Sequence, residues 1–324
     1  AFCSDFTNLV DGDTNSTLDI FVRDRLDEVT ERVSVSSAGQ QGNSYSIGPD
    51  ISSDGRFVAF RSWANNLVPG DTNNSSDIFV RDRVNEVTER VSISSTGAQA
   101  SGGDSIAASI SADGRYVAFA SIADNLVPDD TNQTRDVFIH DRETGQTIRV
   151  SVSSSGEQGN SASCNYVGYQ AVGISANGRF VVFDSSSSNL VLDDSNEMSD
   201  IFVHDRILGT TIRVSICPCG DEGNSASIGP AISGNGRLVG FTSHANNLLE
   251  GLGDTNNAYD IFVHELPLVN SCEADHDDDG DVDGIDLQAF AAVFEVDELE
   301  AFASEFGLTS CLDPERVGVC HLKN

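Results

Sequence analysis

Apolar residues along this chain fall in short blocks separated by stretches rich in Asp, Asn, Ser and Gly, and the blocks recur in a fixed order. One block reads Asp-Ile-Phe-Val from Asp19, Asp77, Asp200 and Asp260, and Asp-Val-Phe-Ile from Asp136, at spacings of 58, 59, 64 and 60 residues. Two more blocks, Ile-Ser-x-x-Gly-Arg and Arg-Val-Ser, begin at Ile51, Ile110, Ile174 and Ile232 and at Arg32, Arg90, Arg149 and Arg213. Such self-similarity is the signature of a repeat architecture.

Each unit predicts four β-strands, because its apolar residues alternate with period two and show no helical spacing. In the second unit the predicted strands are A at roughly Ile47–Ser52, B at roughly Arg56–Ser62, C at Asp77–Arg83 and D at Thr88–Ser94. The Ser-Asp-Gly tip between A and B is typical of a tight hairpin. Longer polar loops join B to C, and D to the next unit.

Four short strands in each unit predict an all-β fold, a β-propeller of about five four-stranded blades, because stacked neighbours bury the faces that one sheet leaves exposed. The expected propeller spans residues 1–268, with repeats near 1–46, 47–105, 106–170, 171–227 and 228–268, and a small second domain spans 269–324. The alternatives are a β-solenoid, whose coils are usually much shorter, and a string of separate small β domains.

The repeat also resembles a known family. Ser-x-Asp-Gly-Arg-x-Val-Ala-Phe followed by Asp-Ile-Phe-Val-x-Asp-Arg is similar to the TolB-like propeller repeat, in which a Ser-Pro-Asp-Gly turn precedes a strand and an Asp-Ile-Tyr strand follows. The resemblance covers residues 1 to 266 and implies a fold more than a function, since such blades occur in binding proteins and as non-catalytic domains of hydrolases. This chain lacks the turn proline and has a long Asn-Leu-Val-x-x-Asp-Thr-Asn loop.

The first and last units are predicted to be incomplete. Ala1–Ser4 aligns with Ala59–Ser62, so the first unit lacks strand A and half of strand B, and no Arg-Val-Ser block follows strand C at Asp260–Glu265. An incomplete blade exposes a sheet edge that can pair with another chain. Three interpretations stay open: the sequence is a fragment, the ring closes with its own terminal segments, or copies complete one another head to tail and form a filament.

The charge is strongly negative, with 51 Asp and Glu against 18 Lys and Arg and a formal net charge of −33. Nucleic acids and anionic membranes need a basic footprint, so the composition excludes them as partners. No apolar run reaches the ~18 residues of a membrane-spanning helix, and no membrane insertion is expected. The excess of carboxylates indicates a divalent cation, and Ca²⁺ is the expected cofactor.

The strongest calcium signal is the segment 275–286, whose oxygen ligands follow EF-hand spacing, with Gly280 at the sharp turn. The predicted ligands are Asp275, Asp277, Asp279, Asp281, Asp283 and Asp286. Asp at the last position and apolar residues at helical spacing after it resemble a dockerin repeat, which implies an α-helical calcium module at 269–324. One loop is present where dockerins carry two. The alternative is a solvated acidic loop.

A weaker signal recurs in the loop between strands B and C, which reads Asp-(Thr/Ser)-Asn-x-x-x-Asp. Asp and Asn two residues apart can share a cation, and the Asp that opens strand C can close the site. The candidates are Asp13, Asn15 and Asp19; Asp71, Asn73 and Asp77; Asp130, Asn132 and Asp136; Asp194, Asn196 and Asp200; and Asp254, Asn256 and Asp260. The alternative is an Asx turn, in which the side chains cap their own backbone.

Seven cysteines are present. Cys272 and Cys311 bracket the calcium module, and a disulfide between them would staple a domain too small to hold itself. Pairing of the other five is open: Cys217 or Cys219 can reach Cys164 if their blades are adjacent, and Cys3 and Cys320 lie near the two ends. Disulfides and calcium together indicate a secreted, extracellular protein of a prokaryotic cell surface or matrix.

No catalytic arrangement stands out. The chain has no Gly-x-Ser-x-Gly elbow, no His-Glu-x-x-His and no phosphate loop, so no enzymatic activity is expected. The sequence favours an extracellular, calcium-stabilised structural protein whose partner is another copy of itself. The alternatives are a cell-surface binding or adhesion module for a glycan or protein, and the propeller domain of a secreted hydrolase or lyase.

Overall fold

The computed structural model describes residues 1–164, 171–249, 256 and 258–266, together with the backbone of 308–311 and 320–322. The predictions that fall on Asp254, the 275–286 loop, Cys272 and the helices around that loop lie outside the described residues. Among the described residues no helix could span a membrane.

Five antiparallel sheets follow one another along residues 1–266, each with its strands in sequence order. The first contains β1 (Phe2–Ser4), β2 (Asp19–Arg23) and β3 (Thr30–Arg32), and the second contains β4 (Ser46–Ile51), β5 (Phe57–Ser62), β6 (Asp77–Asp82) and β7 (Val87–Arg90). The third contains β8 (Ser105–Ile110), β9 (Tyr116–Ser121), β10 (Asp136–Asp141) and β11 (Gln146–Arg149). The fourth contains β12 (Val172–Ile174), β13 (Phe180–Ser185), β14 (Asp200–Asp205) and β15 (Thr210–Arg213), and the fifth contains β16 (Ser227–Ile232), β17 (Leu238–Ser243) and β18 (Asp260–Glu265). The described chain is therefore all-β, and each sheet is one blade of a β-propeller.

The chain divides into two compact units, Ala1–Glu265 and Leu266–Asn324. The first contains the five blades. In the second the structure describes two paired strands, β19 (Leu308–Cys311) and β20 (Cys320–Leu322), in which Cys311 and Cys320 are cross-strand neighbours. The predicted pairing of Cys311 with Cys272 remains a prediction, because Cys272 lies outside the described residues.

The fourth strand of the second blade is shorter than predicted and ends at Arg90. One more backbone bond follows, from the N–H of Val91 to the carbonyl of Ile78 (2.9 Å), and a serine side chain then takes over: Ser92 Oγ accepts the N–H of Ile78 (3.1 Å) and donates to Asp77 Oδ1 (2.6 Å). The same pair of hydrogen bonds is made by Ser34, Ser151 and Ser215. In the Arg-Val-Ser block the arginine thus ends the strand, and the serine side chain bonds to the neighbouring strand.

The hydrophobic core lies between blades. Ile78 and Val80 of the second blade pack on a stacked ring pair of the third, Phe119 and Phe138, whose centroids are 5.9 Å apart. All four side chains are fully buried. The corresponding Ile and Val of the first blade pack on the Phe60 and Phe79 pair in the same way. Since each apolar side chain gains about 1.5–3 kcal/mol from burial, a blade is stable only against its neighbours.

In the second to fifth blades the first strand lies innermost. β4, β8, β12 and β16 contact one another in turn, and they line a shared cavity bounded by Asp50, Ile110, Ile174 and Pro230. Asp50 Oδ2 bridges two blades there by accepting the N–H of Ile110 (2.9 Å) and the hydroxyl of Ser109 (3.0 Å). This central arrangement of strands is the propeller pattern that the repeat predicts.

A second contact recurs at three of the four joints between the blades, and we call it the glycine clasp: a hairpin glycine of one blade against an aromatic ring of the blade before. Gly114, with a φ of +76°, lies so close to Phe57 that a Cβ would be 2.1 Å from the ring. Arg142, from the blade of Gly114, lies over the same ring at 4.3 Å. The clasp recurs for Gly178 with Tyr116 and for Gly236 with Phe180.

The clasp predicts that Gly114→Ala destabilises the fold far more than Gly97→Ala. Both glycines have positive φ, but a Cβ on Gly97 meets nothing within 4 Å. Left-handed strain costs both variants about 1–2 kcal/mol, and overpacking against Phe57 costs Gly114→Ala about 1–3 kcal/mol more. Urea unfolding followed by circular dichroism measures the difference, and equal losses in the two variants would contradict the clasp.

Candidate functional site

The loop between the second and third strands of each blade brings its predicted Asp-Asn-Asp triplet together, and we call the four triplets of the first four blades the acidic column. In the first blade, Asn15 Nδ2 donates to Asp19 Oδ2 (3.0 Å) and to the carbonyl of Gly42 (2.9 Å), and Asn15 Oδ1 accepts the N–H of Thr17 (3.0 Å). This is the geometry of an Asx turn. The side-chain NH₂ of Asn15 therefore donates to Asp19, while its side-chain oxygen accepts a backbone N–H.

Two further side chains lie between the carboxylates. Gln41 Nε2 donates to Asp13 Oδ1 (2.8 Å) and Asp19 Oδ2 (3.0 Å). Arg32 Nη1 lies 3.4 Å from Asp13 Oδ1 and 3.7 Å from Asp19 Oδ2. Buried carboxylates need a partner charge, and here the guanidinium provides it. Calcium in the column stays a prediction, and an entering ion would have to displace Arg32.

The second and third blades repeat these contacts, with Gln99 and Gln158 in the place of Gln41. In the fifth blade, Asn256 Nδ2 donates to Asp260 (3.3 Å). Sequence reasoning missed the glutamine, although it recurs at the same point of three successive loops and could have been found there. Burial raises the pKa of Asp77 and Asp136, and a hydrogen bond from the neighbouring serine opposes that shift.

The fourth blade breaks this pattern, because Glu222 replaces the glutamine. Glu222 accepts the hydroxyl of Ser195 (2.6 Å) and pairs with Arg213 (2.8 Å). Carboxylate oxygens of Asp194, Asp200 and Glu222 all lie within 4.8 Å of one another, close enough to hold a metal ion. One guanidinium thus faces three carboxylates, against two in each of the first three blades.

The extra carboxylate changes the electrostatics of the fourth blade. Burial, followed by the charge of Asp200, raises the pKa of Asp194 to about 6. Burial acts against ionisation of Glu222 too, but hydrogen bonds from Ser195 and the charge of Arg213 hold its pKa below the usual range. Burial raises the pKa of Asp200 as well, so ionisation of both aspartates is opposed in this cluster.

The loop that carries Glu222 also carries two cysteines, whose pairing the sequence leaves open. Cys217 and Cys219 form a disulfide with each other, with Cα atoms 5.2 Å apart. Cys164 is a buried free thiol that donates to the carbonyl of Ala171 (3.2 Å), and Cys3 is an exposed free thiol. The turn places Cys217 and Cys219 side by side, so Cys217 bonds to Cys219 and not to Cys164.

A separate candidate surface lies on the last blade, and we define its outer face by Leu238, Ile261 and Val263. Ile261 is 82% exposed and Val263 is 67% exposed. Their counterparts in the second blade, Ile78 and Val80, are fully buried against the next blade. Among the described strands of the unit Ala1–Glu265, β18 is the last strand of its sheet, and no further blade follows it.

No protein-family model matches the chain, and no curated protein matches it. Among solved structures, TolB from Acinetobacter baumannii is similar at 15% identity and a TM-score of 0.44, over 76% of this chain and 46% of that one. An oligogalacturonate lyase in complex with manganese matches at 15% identity and a TM-score of 0.43, over 78% of this chain and 55% of the lyase. The β-propeller domain of the Trilobed protease from Pyrococcus furiosus matches at 13% identity and a TM-score of 0.39, over 69% of this chain and 55% of that one.

The chain thus spans between 46% and 55% of the length of these three proteins. At such identities and TM-scores the similarity carries no functional argument, and the sheets themselves establish the fold.

The raised pKa of Asp194 predicts a pH-dependent gain from Asp194→Asn. Native Asp194 holds its proton up to about pH 6, whereas the unfolded chain loses it near 3.8, so the wild type loses stability as pH rises through that window. Asparagine does not ionise, so the variant does not lose this stability as the pH rises. Its unfolding free energy relative to wild type should rise by on the order of 1–2 kcal/mol between about pH 4 and 7. Denaturant melts at each pH test this, and a constant difference would contradict it.

Glu222→Gln is the companion variant, since it recreates the arrangement of the other blades. Removal of this like charge should lower the pKa of Asp194. Carboxyl-carbon NMR titration of Asp194 reads the change directly, and an unaltered midpoint would show that Glu222 does not act on it.

Proposed function

We propose that this protein is a non-catalytic, extracellular structural propeller that assembles with copies of itself through its end blades. The observation that carries the proposal is the outer face of the fifth blade. Ile261 and Val263 are exposed to solvent there, whereas their counterparts in the second blade, Ile78 and Val80, are buried against the third blade. An exposed apolar face on the edge strand of the described sheet favours association with another chain.

The interior joints indicate what would cover that face. Each Ile and Val pair meets a stacked phenylalanine pair, and the first blade carries one, Phe2 and Phe21, with centroids 5.8 Å apart. Phe21 is buried, but Phe2 is 38% exposed. A second copy that presents Phe2 to Ile261 and Val263 would repeat the interior contact. Such a contact joins two different faces, so it propagates into a filament unless the rotation closes.

The net charge of −33 opposes this assembly, because copies repel one another at low ionic strength. Salt screens the repulsion, and calcium would lower it further by binding carboxylates. We therefore assign calcium the role of stabilising cofactor, with 275–286 as its main site. The Cys217–Cys219 disulfide supports an oxidising compartment, and we place the protein at a prokaryotic cell surface or in the matrix.

Assembly is tested by the double variant Ile261→Ser, Val263→Ser. Both residues are exposed, so the change should leave the fold intact, and a monomer should replace the concentration-dependent assemblies that we expect for the wild type in sedimentation velocity. The control is Leu192→Ser, which removes an equally apolar side chain that is 90% exposed on the fourth blade. The control should assemble like the wild type. A wild type that stays monomeric in salt and calcium would overturn the proposal.

Calcium stabilisation is tested separately with a chelator. Excess EDTA should lower the melting temperature of the wild type, and the variant Asp277→Asn, Asp279→Asn should melt at that lower temperature with or without EDTA. Asp27→Asn, an exposed carboxylate on the first blade, is the control and should keep the full response. If EDTA leaves the wild-type melting temperature unchanged, the acidic loop is only a solvated surface.

A further inference from the structure

The turn that follows the fourth strand has the same backbone in every complete blade. In the fourth blade, the N–H of Cys217 donates to the carbonyl of Asp221 (2.9 Å), and the N–H of Gly220 donates to the carbonyl of Cys217 (2.9 Å). The third blade has the same two bonds, from Ser153 to Glu157 and from Gly156 to Ser153. These bonds join backbone groups only, and they form with serine as well as with cysteine at the first position of the turn.

The side chains at the first and third positions of this turn face each other. Ser153 Oγ and Ser155 Oγ are 2.8 Å apart, and Ser94 Oγ and Thr96 Oγ1 are 2.9 Å apart. In the fourth blade these positions are Cys217 and Cys219, and the hydroxyl contact is replaced by a disulfide. The repeat therefore aligns two sulfurs whether or not they are bonded.

Stability gives little reason for this disulfide. Its cysteines are two residues apart, and so short a loop restricts the unfolded chain only slightly. The Ser94–Thr96 turn of the second blade and the Ser153–Ser155 turn of the third blade show that the turn forms without a disulfide. A chemical role accounts for the bond better than a structural one.

The two sulfurs differ in access. Cys217 is 2% exposed, and its Sγ receives the N–H of Asp221 at 3.3 Å. Cys219 is exposed. An incoming thiolate can reach Cys219, while the backbone N–H at Cys217 can stabilise the negative charge of a departing sulfur.

We infer that the Cys217-Pro218-Cys219 turn is a thiol–disulfide exchange site whose substrate is a small thiol or an exposed protein cysteine. A thiolate attacks Sγ of Cys219 and forms a mixed disulfide, and the Cys217–Cys219 bond breaks with its electron pair on Cys217. A second thiolate attacks the substrate sulfur of the mixed disulfide, releases Cys219 as a thiolate and leaves as the substrate disulfide. Both cysteine thiolates then take protons from water. Two substrate thiols are oxidised to one disulfide, and the protein disulfide is reduced to two thiols.

The exchange runs without unfolding, since the reduced turn keeps the backbone bonds of its serine counterparts. It is also independent of the proposed assembly, because the turn lies in the fourth blade and the assembly face lies in the fifth.

The test uses the full chain with Cys3→Ser, which removes the exposed thiol of the first blade. In reduced and oxidised glutathione buffers, alkylation and peptide mass spectrometry should show Cys217 and Cys219 passing together from disulfide to thiols, with an unchanged circular dichroism spectrum. Cys217→Ser should trap glutathione on Cys219 at least about tenfold faster than Cys219→Ser traps it on Cys217. The matched control is Cys217→Ser, Cys219→Ser, which reproduces the serine turn of the third blade and should take up no glutathione in this turn.

A gain-of-site variant completes the design. Ser153→Cys, Ser155→Cys should form a second exchangeable disulfide in the third blade, since the turn geometry there is the same. The inference is overturned if the Cys217–Cys219 bond resists reduction until the chain unfolds, if reduction itself abolishes the native spectrum, or if glutathione prefers Cys217.

Discussion

The fold depends on one contact, the packing of an Ile and Val pair from one blade against a stacked phenylalanine pair of the next. A four-stranded sheet has two faces, and it cannot bury both within itself. Ile78 and Val80 become fully buried only because Phe119 and Phe138 lie against them. The central strands, the glycine clasp and the order of the loops all follow from holding consecutive sheets at this contact, which makes each blade a poor independent folding unit.

The sequence predicts most of this architecture because the physical signal is local and repeated. Period-two alternation places the second and third strands of the second blade within one residue of the observed β5 and β6. The fourth strand is predicted too long, since alternation cannot show that Ser92 turns its hydroxyl onto Asp77 and replaces the ladder. The position of Gln41 between two carboxylates is also invisible to local patterns, because it lies 28 residues from Asp13 and reaches it only through the fold.

Repetition also supplies internal comparisons that a single site lacks. Three blades place an amide beside two buried carboxylates, and the fourth places Glu222 there with the backbone turn unchanged. A comparison of the blades therefore isolates what the Glu222 carboxylate adds to the pKa of Asp194. The cysteine pair lies in the same turn and replaces hydroxyls that other blades keep in contact. Two departures from the repeat, Glu222 and the cysteine pair, thus lie in one loop of the fourth blade.

The glycine clasp has a consequence for how such a chain can change its length. Each clasp joins only two adjacent blades: Gly114 to Phe57, and Gly178 to Tyr116. The third and fourth blades each carry both halves of the contact, a glycine for the blade before and a ring for the blade after. Duplication of one unit in the gene would therefore insert a blade whose two halves already fit the existing neighbours. Propellers of this kind can gain or lose whole blades by recombination, with no compensating substitution at the new joints.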